Sequence, residues 1–232
     1  MKKLLCMTAA VLLAAALPAK ADTVAIGTFT SDHCTNNCGP QTGGFATITA
    51  TDNGAGTIGI VIDLLNGNTF ANGGQDVVFG FNLVGNPTIT YSGLSSAFSI
   101  PGVIPINQQN AGTLSADGFG TFEYGIEGTF TGASNISSLS FSISGAGLSL
   151  ASFAERSTIP PGDLAVFMAL DIFSGTTGNT GFVDLNNGGR PTPFDVPPVP
   201  LPPAVWLFGT GLVGLYLAGK RRKANALKMA AA

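Results

Sequence analysis

Residues able to do chemistry are few in this chain of 232 residues. His33 is the only histidine. It stands beside Cys34-Thr35-Asn36-Asn37-Cys38, a cysteine pair closed by Gly39-Pro40. Such a group fits a redox dithiol, a zinc site or a short-loop disulfide. A thioredoxin-type motif has two residues between its cysteines and this one has three. His33 and the two cysteines would crowd around zinc, a tetrahedral site takes a fourth ligand, and no second histidine is present. In an oxidising compartment a disulfide between Cys34 and Cys38 is the expected outcome, with no metal. A serine hydrolase would have to use His33 as its base, and there is no Gly-x-Ser-x-Gly elbow. A lone histidine in a Gly/Asn-rich loop reads as solvated, so no catalytic residue is assigned.

Carboxylates are the other equipment. Glu123 and Glu127 are expected on one solvent-facing side of a strand, roughly 13 Å apart by strand rise. That exceeds the separation of about 5 to 9.5 Å used in glycoside hydrolysis. Carboxylates brought together from different strands remain open. Asp52-Asn53-Gly54 and Asp184-Leu185-Asn186-Asn187-Gly188 are oxygen-rich turns that could attract calcium, though neither completes an EF-hand loop. Hairpin chemistry is the simpler account of both. The cofactor expectation is therefore none, with calcium open.

The elements that must position these groups read as β-strands. Short apolar or alternating runs recur at Thr23 to Thr30, Gly44 to Thr51, Gly56 to Leu65, Gln75 to Val84, Thr88 to Ser92, Gly118 to Thr131, Ser137 to Leu150, Asp163 to Phe173 and Thr180 to Leu185. Leu139, Phe141 and Ile143 alternate with Ser140, Ser142 and Ser144, the pattern of a half-buried antiparallel strand. Asn53-Gly54, Asn66-Gly67, Asn72-Gly73-Gly74, Asp117-Gly118 and Asn187-Gly188 supply the positive φ of tight turns. Ala151 to Arg156 is expected to make a short helical turn at most. The fold class that follows is all-β, an antiparallel β-sandwich with a jelly-roll-like arrangement open, plus one C-terminal transmembrane helix.

That last element belongs to the chain's two ends. Lys2 and Lys3, an apolar run from Leu4 to Leu17, and Ala19-Lys20-Ala21 describe a secretory signal peptide cut between Ala21 and Asp22. Cys6 precedes most of the apolar run, which argues against a lipoprotein signal. At the other end, residues 201–219 carry no charge and nearly span a hydrocarbon core as a helix. Trp206 and Tyr216 stand near its ends, and Lys220, Arg221, Arg222 and Lys223 form a stop that stays cytoplasmic. Gly209, Gly211 and Gly214 are no nucleotide fingerprint, because no strand or acidic partner accompanies them.

Val199-Pro200-Leu201-Pro202, then Trp206-Leu207-Phe208-Gly209, Gly211-Leu212 and the basic cluster, resemble the VPLPA variant of the PEP-CTERM sorting domain. The signature covers about 28 residues, and its order of proline motif, apolar helix and cationic cluster is specific. The resemblance implies recognition of Val199 to Pro202 by an exosortase, a membrane transpeptidase-like cysteine protease. Cleavage near that motif would pass the protein to the cell surface. Family members belong to exopolysaccharide-making Gram-negative bacteria, many with biofilm or floc matrix. This chain departs in having Pro203 where the variant usually has alanine, and in the residues Ala224 to Ala232 after the cluster. The expected organisation is a signal peptide (1–21), an acidic ectodomain (22–189), a Pro-rich linker (190–200), the membrane helix of the sorting signal (201–219) and a basic cytoplasmic tail (220–232).

Charge narrows the function further. All thirteen Asp and Glu lie between Asp22 and Asp195, against Arg156 and Arg190 alone, a formal net charge of −11 with no lysine. Nucleic acid is excluded as a partner, since phosphate binding needs clustered cations. An anionic polysaccharide is disfavoured unless divalent cations bridge. The expected partners are an exosortase, signal peptidase and the secretion machinery, membrane lipid, and extracellular polysaccharide. The leading expectation is an exported, non-catalytic surface or matrix protein, a single-pass inner-membrane protein before processing and a surface or extracellular one after. A carbohydrate-binding module, with or without calcium, is the alternative; a polysaccharide hydrolase stands third.

Overall fold

The chain changes sheets at Thr30. The computed structural model describes residues 23–74, 77–101, 114–159, 164–185 and 193–194. In it Thr23–Phe29 (β1) belongs to one sheet and Ser31–Cys34 (β2) to the other. Phe29 O still accepts from Phe45 N–H at 2.9 Å, whereas Thr30 N–H already donates to Asp184 O at 3.0 Å. A strand that crosses over in this way makes a corner between packed sheets.

The remaining strands are β3 (Ala46–Asp52), β4 (Thr57–Leu64), β5 (Thr69–Asn72), β6 (Phe79–Phe81), β7 (Thr90–Ser92), β8 (Phe98–Ser99), β9 (Leu114–Ala116), β10 (Gly120–Phe122), β11 (Tyr124–Gly128), β12 (Gly132–Ala133), β13 (Ser138–Ser144), β14 (Met168–Phe173) and β15 (Thr180–Leu185). The first sheet is antiparallel in the order β1-β3-β4-β13-β7. The second is built around β14, which pairs β15 along its whole length. Its opposite edge is shared, Met168–Leu170 pairing β6 and Ile172–Phe173 pairing β5. β2 lies beyond β15, β11 and β8 beyond β6, and β12 beyond β5.

The two sheets bury one core between them. Ile48, Ile58, Ile60, Ile62, Phe141 and Ile143 come from the first sheet; Phe70, Phe79, Phe81, Leu170, Ile172 and Val183 come from the second. Phe79 and Phe141 meet across the gap with ring centroids 6.1 Å apart. The architecture is all-β and sandwich-like. No helix among the described residues is long and apolar enough to cross a membrane. Residues 1–22, most of the linker, and the 201–232 segment with its expected membrane helix lie outside the described residues.

The second sheet is covered on its outer face as well. Gly125, Gly80 and Ala169 stand side by side in register across β11, β6 and β14. The β9–β10 hairpin lies over this row, and Val77, Leu114, Ala116, Phe119, Phe122, Val166, Ala169 and Phe182 form a second buried cluster there. A Cβ on Gly80 would stand 2.6 Å from the Phe122 ring. Small residues in this row are what let an aromatic hairpin reach the sheet.

Several elements follow the sequence expectations, and others depart from them. Asn53-Gly54 and Asp117-Gly118 close the β3–β4 and β9–β10 hairpins. Asn66-Gly67 turns with positive φ at both residues, but β4 and β5 belong to different sheets, so this turn carries the chain across the core. Leu150–Phe153 forms one turn of 3₁₀ helix. The run from Gly118 to Thr131 is not one strand. It breaks at Glu123, so Phe122 packs in the outer cluster while Tyr124 and Ile126 pack in the main core. Glu123 is 8 % exposed, and the solvent-facing position expected for it is corrected.

Gly80→Val should therefore destabilise by about 1–3 kcal/mol or more through overpacking against Phe122. Gly59→Ala, whose added carbon first meets the Asn53 amide at 3.3 Å, should be near neutral. Urea midpoints of the two variants against the parent check the contrast.

Candidate functional site

Two places bring chemically capable side chains together. One is the loop end around the cysteines. Cys34 and Cys38 form a disulfide with their Cα atoms 5.5 Å apart. Asn36 and Asn37 between them adopt positive φ, a conformation asparagine tolerates better than most residues. Asn179 Nδ2 donates to Asn36 O at 3.2 Å and to Asn37 O at 2.7 Å, and Ser174 Oγ donates to Cys38 O at 2.8 Å. Fully buried Asn68 donates to Gln41 Oε1 (2.7 Å) and Phe45 O (3.0 Å) and accepts from Gln41 Nε2 (3.1 Å) and Gly175 N–H (3.0 Å). These amides tie the cysteine loop to the β4–β5 and β14–β15 turns. Their donors and acceptors are used internally, so the arrangement holds loops in place.

His33 lies near this end on β2. Its Nδ1 is 3.7 Å from Asp117 Oδ2, with both side chains more than half exposed, and its ring meets Phe119 edge-on at 6.1 Å. With both sulfurs in the disulfide, the three-ligand grouping of His33, Cys34 and Cys38 is not a metal site. Asp52 Oδ1 accepts from Gly54 N–H at 2.8 Å, the bond of an Asx turn. Asp184 sits inside β15, and Asn186 to Gly188 lie outside the described residues. Among the described residues no three or more His, Cys, Asp or Glu are grouped to hold a metal ion.

The second place is the break between β10 and β11. Thr121 and Thr158 form an antiparallel bridge, bonded both ways at 2.9 and 3.0 Å. Two residues further, Glu123 N–H and Arg156 O would face each other, and the buried Asn82 carboxamide stands between them. Its Oδ1 accepts from Glu123 N–H at 2.7 Å and its Nδ2 donates to Arg156 O at 2.8 Å. Asn82 thus replaces a ladder bond with a side-chain amide, and it locks together β6, the Glu123 break and the segment after the 3₁₀ turn. Glu127 is part of β11 and pairs with Ser99.

Buried carboxylates stand on the outer face of the second sheet, Asp171 and Asp184 on the side of Ala169 and Phe182. Asp171 is 2 % exposed and accepts from Gly73 N–H at 2.7 Å. Burial, opposed by that bond, pushes its carboxyl from 3.8 up to about 6. Burial also raises Asp184, against the pull of Ser31 and the Arg156 charge. Glu123 is raised by burial, with the Asn86 side chain hydrogen-bonding against it.

Of the expected site residues, the structure describes Cys34 and Cys38. Ala21, Asp22, Val199, Pro200, Leu201, Pro202, Lys220, Arg221, Arg222 and Lys223 lie outside the described residues. Asn82, Asp171 and Asn68 were not foreseen. Asn82 interrupts Val77-Val78-Phe79-Gly80-Phe81 and Leu83-Val84, and Asp171 interrupts Met168-Ala169-Leu170 and Ile172-Phe173. A polar residue inside an apolar run is the signal that marks them. No protein-family model, no curated protein and no solved structure matches this chain.

Two outcomes follow. The folded protein holds the Asp171 proton more tightly than the unfolded chain does. The resulting stability is present in full below pH 3.8 and is lost as pH rises through about 6. The loss is about 3 kcal/mol. The difference between Asp171→Asn and the parent, measured by urea midpoints across that window, should show the slope disappear in the variant. Replacing both cysteines by serine should cost about 2 kcal/mol, the chain-entropy value for so short a loop, and denaturant titration of the oxidised parent and the double variant reads it.

Proposed function

We propose that this chain is an exported surface or matrix protein whose sandwich-like body is presented outside the cell and whose C-terminus is a sorting signal read by an exosortase. The observation that carries this reading is the order of Val199-Pro200-Leu201-Pro202, an uncharged 201–219 segment and the Lys220 to Lys223 cluster. In it, residues 201–219 span the membrane as a helix, with the cations left on the cytoplasmic side. Signal peptidase releases the N-terminus at Asp22, and the Pro-rich 190–200 stretch holds the body away from lipid. The Cys34–Cys38 disulfide supports an oxidising destination. The body's charge of −11 supports solubility and mutual repulsion of copies, not binding of polyanions.

One observation favours a second reading, contact with neutral polysaccharide. The outward side of the first sheet carries Thr47, Thr49, Thr51, Ser138, Ser140 and Ser142, set in register with exposed Val24, Ile26 and Val61. Such a hydroxyl-rich face suits an uncharged, hydroxylated ligand. A glycan array with and without calcium separates the two readings.

Mass spectrometry of the mature protein from separated cell fractions tests the leading one. The expected product begins at Asp22 and has lost or modified its C-terminus near Val199 to Pro202. An intact tail through Ala232 in the final product counts against processing, and translocation of a reporter fused after Ala232 counts against the membrane topology.

A further inference from the structure

The last described residues of the chain are Pro193 and Phe194, and both are buried. Phe194 is 4 % exposed and belongs to the main core. Its ring meets Phe153 edge-on with centroids 5.5 Å apart, and the Phe153 ring stands 5.8 Å from Phe81 of β6. A phenylalanine from the Pro-rich stretch is therefore part of the aromatic packing between the sheets. Pro193 lies against the first sheet. A Cβ on buried Gly27 of β1 would stand 3.1 Å from Pro193 O and 2.5 Å from Leu185 Cδ1. The missing side chain at Gly27 is what gives that carbonyl room.

The sequence on either side sharpens the meaning of this pair. β15 ends at Leu185, and Asn186-Asn187-Gly188-Gly189-Arg190-Pro191-Thr192 follows without a large apolar residue. Bringing the chain back to the core after such a stretch costs conformational entropy. Burial of an aromatic ring at its far end offsets that cost. Beyond Phe194 come Asp195-Val196-Pro197-Pro198 and then Val199, and the next aromatic residue is Trp206. Phe194 is thus the last large ring before the uncharged 201–219 segment.

We infer that Pro193–Phe194 is a C-terminal latch of the body and sets the limit of its proteolytic processing. The folded unit runs to Phe194 rather than to residue 189, and the spacer before the Val199 to Pro202 motif shortens to Asp195–Pro198. A protease takes its substrate as an extended segment on both sides of the scissile bond. Residues held in the core are offered in that form only when they open locally. A cut at Val199 to Pro202 falls beyond the latch and leaves the core sealed. A cut before Pro193 takes Phe194 away and opens a cavity beside Phe153. The latch lets the chain lose its tail without losing its core. That consequence rests on the proposed processing of the C-terminus; the latch itself does not.

Limited digestion of the full chain in detergent with proteinase K, read by intact mass, tests the latch. The limit fragment of the parent should end at or beyond Asp195. Phe194→Ala should move that end to before Pro193 and speed cleavage within residues 186–192 at least about tenfold. Phe194→Leu, which keeps an apolar plug, should hold the parent's end point. Loss of the whole body to digestion in Phe194→Ala, with Phe194→Leu protected, supports the latch as well. A parent fragment ending between Asn186 and Thr192 overturns it, as does a Phe194→Ala variant with the parent's end point and rate. In the mature protein from cells, a C-terminus before Phe194 overturns the processing limit, whereas an intact tail through Ala232 counts against sorting alone.

Discussion

A sheet buried on both faces has no water to turn to, and the second sheet of this protein is in that position. The sandwich core covers one side and the β9–β10 hairpin covers the other. Every polar group between those layers must find its partner within the protein or carry a desolvation cost of about 1–3 kcal/mol. This constraint explains why Asn82 has both ends of its amide engaged, and why Asp171 meets the Gly73 N–H. It also explains the Gly125–Gly80–Ala169 row. A side chain of ordinary size there would lift the hairpin and admit water to β14 and β15. The outer layer and the small residues beneath it depend on each other.

At the loop end, amides do more than the covalent bond. The cysteine pair closes a very short loop, so its entropic effect is small on the logarithmic scale that governs loop closure. Asn68 alone makes four hydrogen bonds to three different segments, each worth about 1 kcal/mol net, and more if a partner were left buried without it. The disulfide confines Thr35 to Asn37. The Gln41–Asn68–Ser174 network sets where that confined loop sits relative to the β14–β15 turn.

Much of this architecture was legible because strand alternation and turn chemistry are local. Leu139, Phe141 and Ile143 against the serines gave β13, and Thr180 to Leu185 matches β15 residue for residue. What local pattern cannot carry is which sheet a strand joins. Asn66-Gly67 has the dihedrals of a hairpin turn yet connects two sheets, because β4 is already paired on both edges by β3 and β13. β2 was missed because Ser31-Asp32-His33-Cys34 has no apolar rhythm; its pairing to β15 is a consequence of β1 crossing the corner. Glu123 misled for a related reason. Phe122, Tyr124 and Ile126 look like one face of one strand, but a third layer captures Phe122, and the backbone breaks at Glu123 to serve two clusters. The resemblance at Val199 to Pro202 is legible only as sequence, since its residues lie outside the described ones.

The charge pattern gives the carboxylates unequal meanings. A body with thirteen acids and two arginines can form few Arg–carboxylate surface pairs, which costs little, because exposed pairs are worth about 0–1 kcal/mol each. Its exposed acids add a negative field, and some also serve local turns, as Asp52 does by accepting from Gly54 N–H. Asp171, Asp184 and Glu123 do not, because they are buried where ionisation is opposed. Asp171 and Asp184 each accept a backbone N–H and sit within regular strands, so the fold offsets part of their cost. Glu123 sits where the strand has stopped, and with its Oε2 unpartnered the backbone returns less against the cost of burial there than at Asp171.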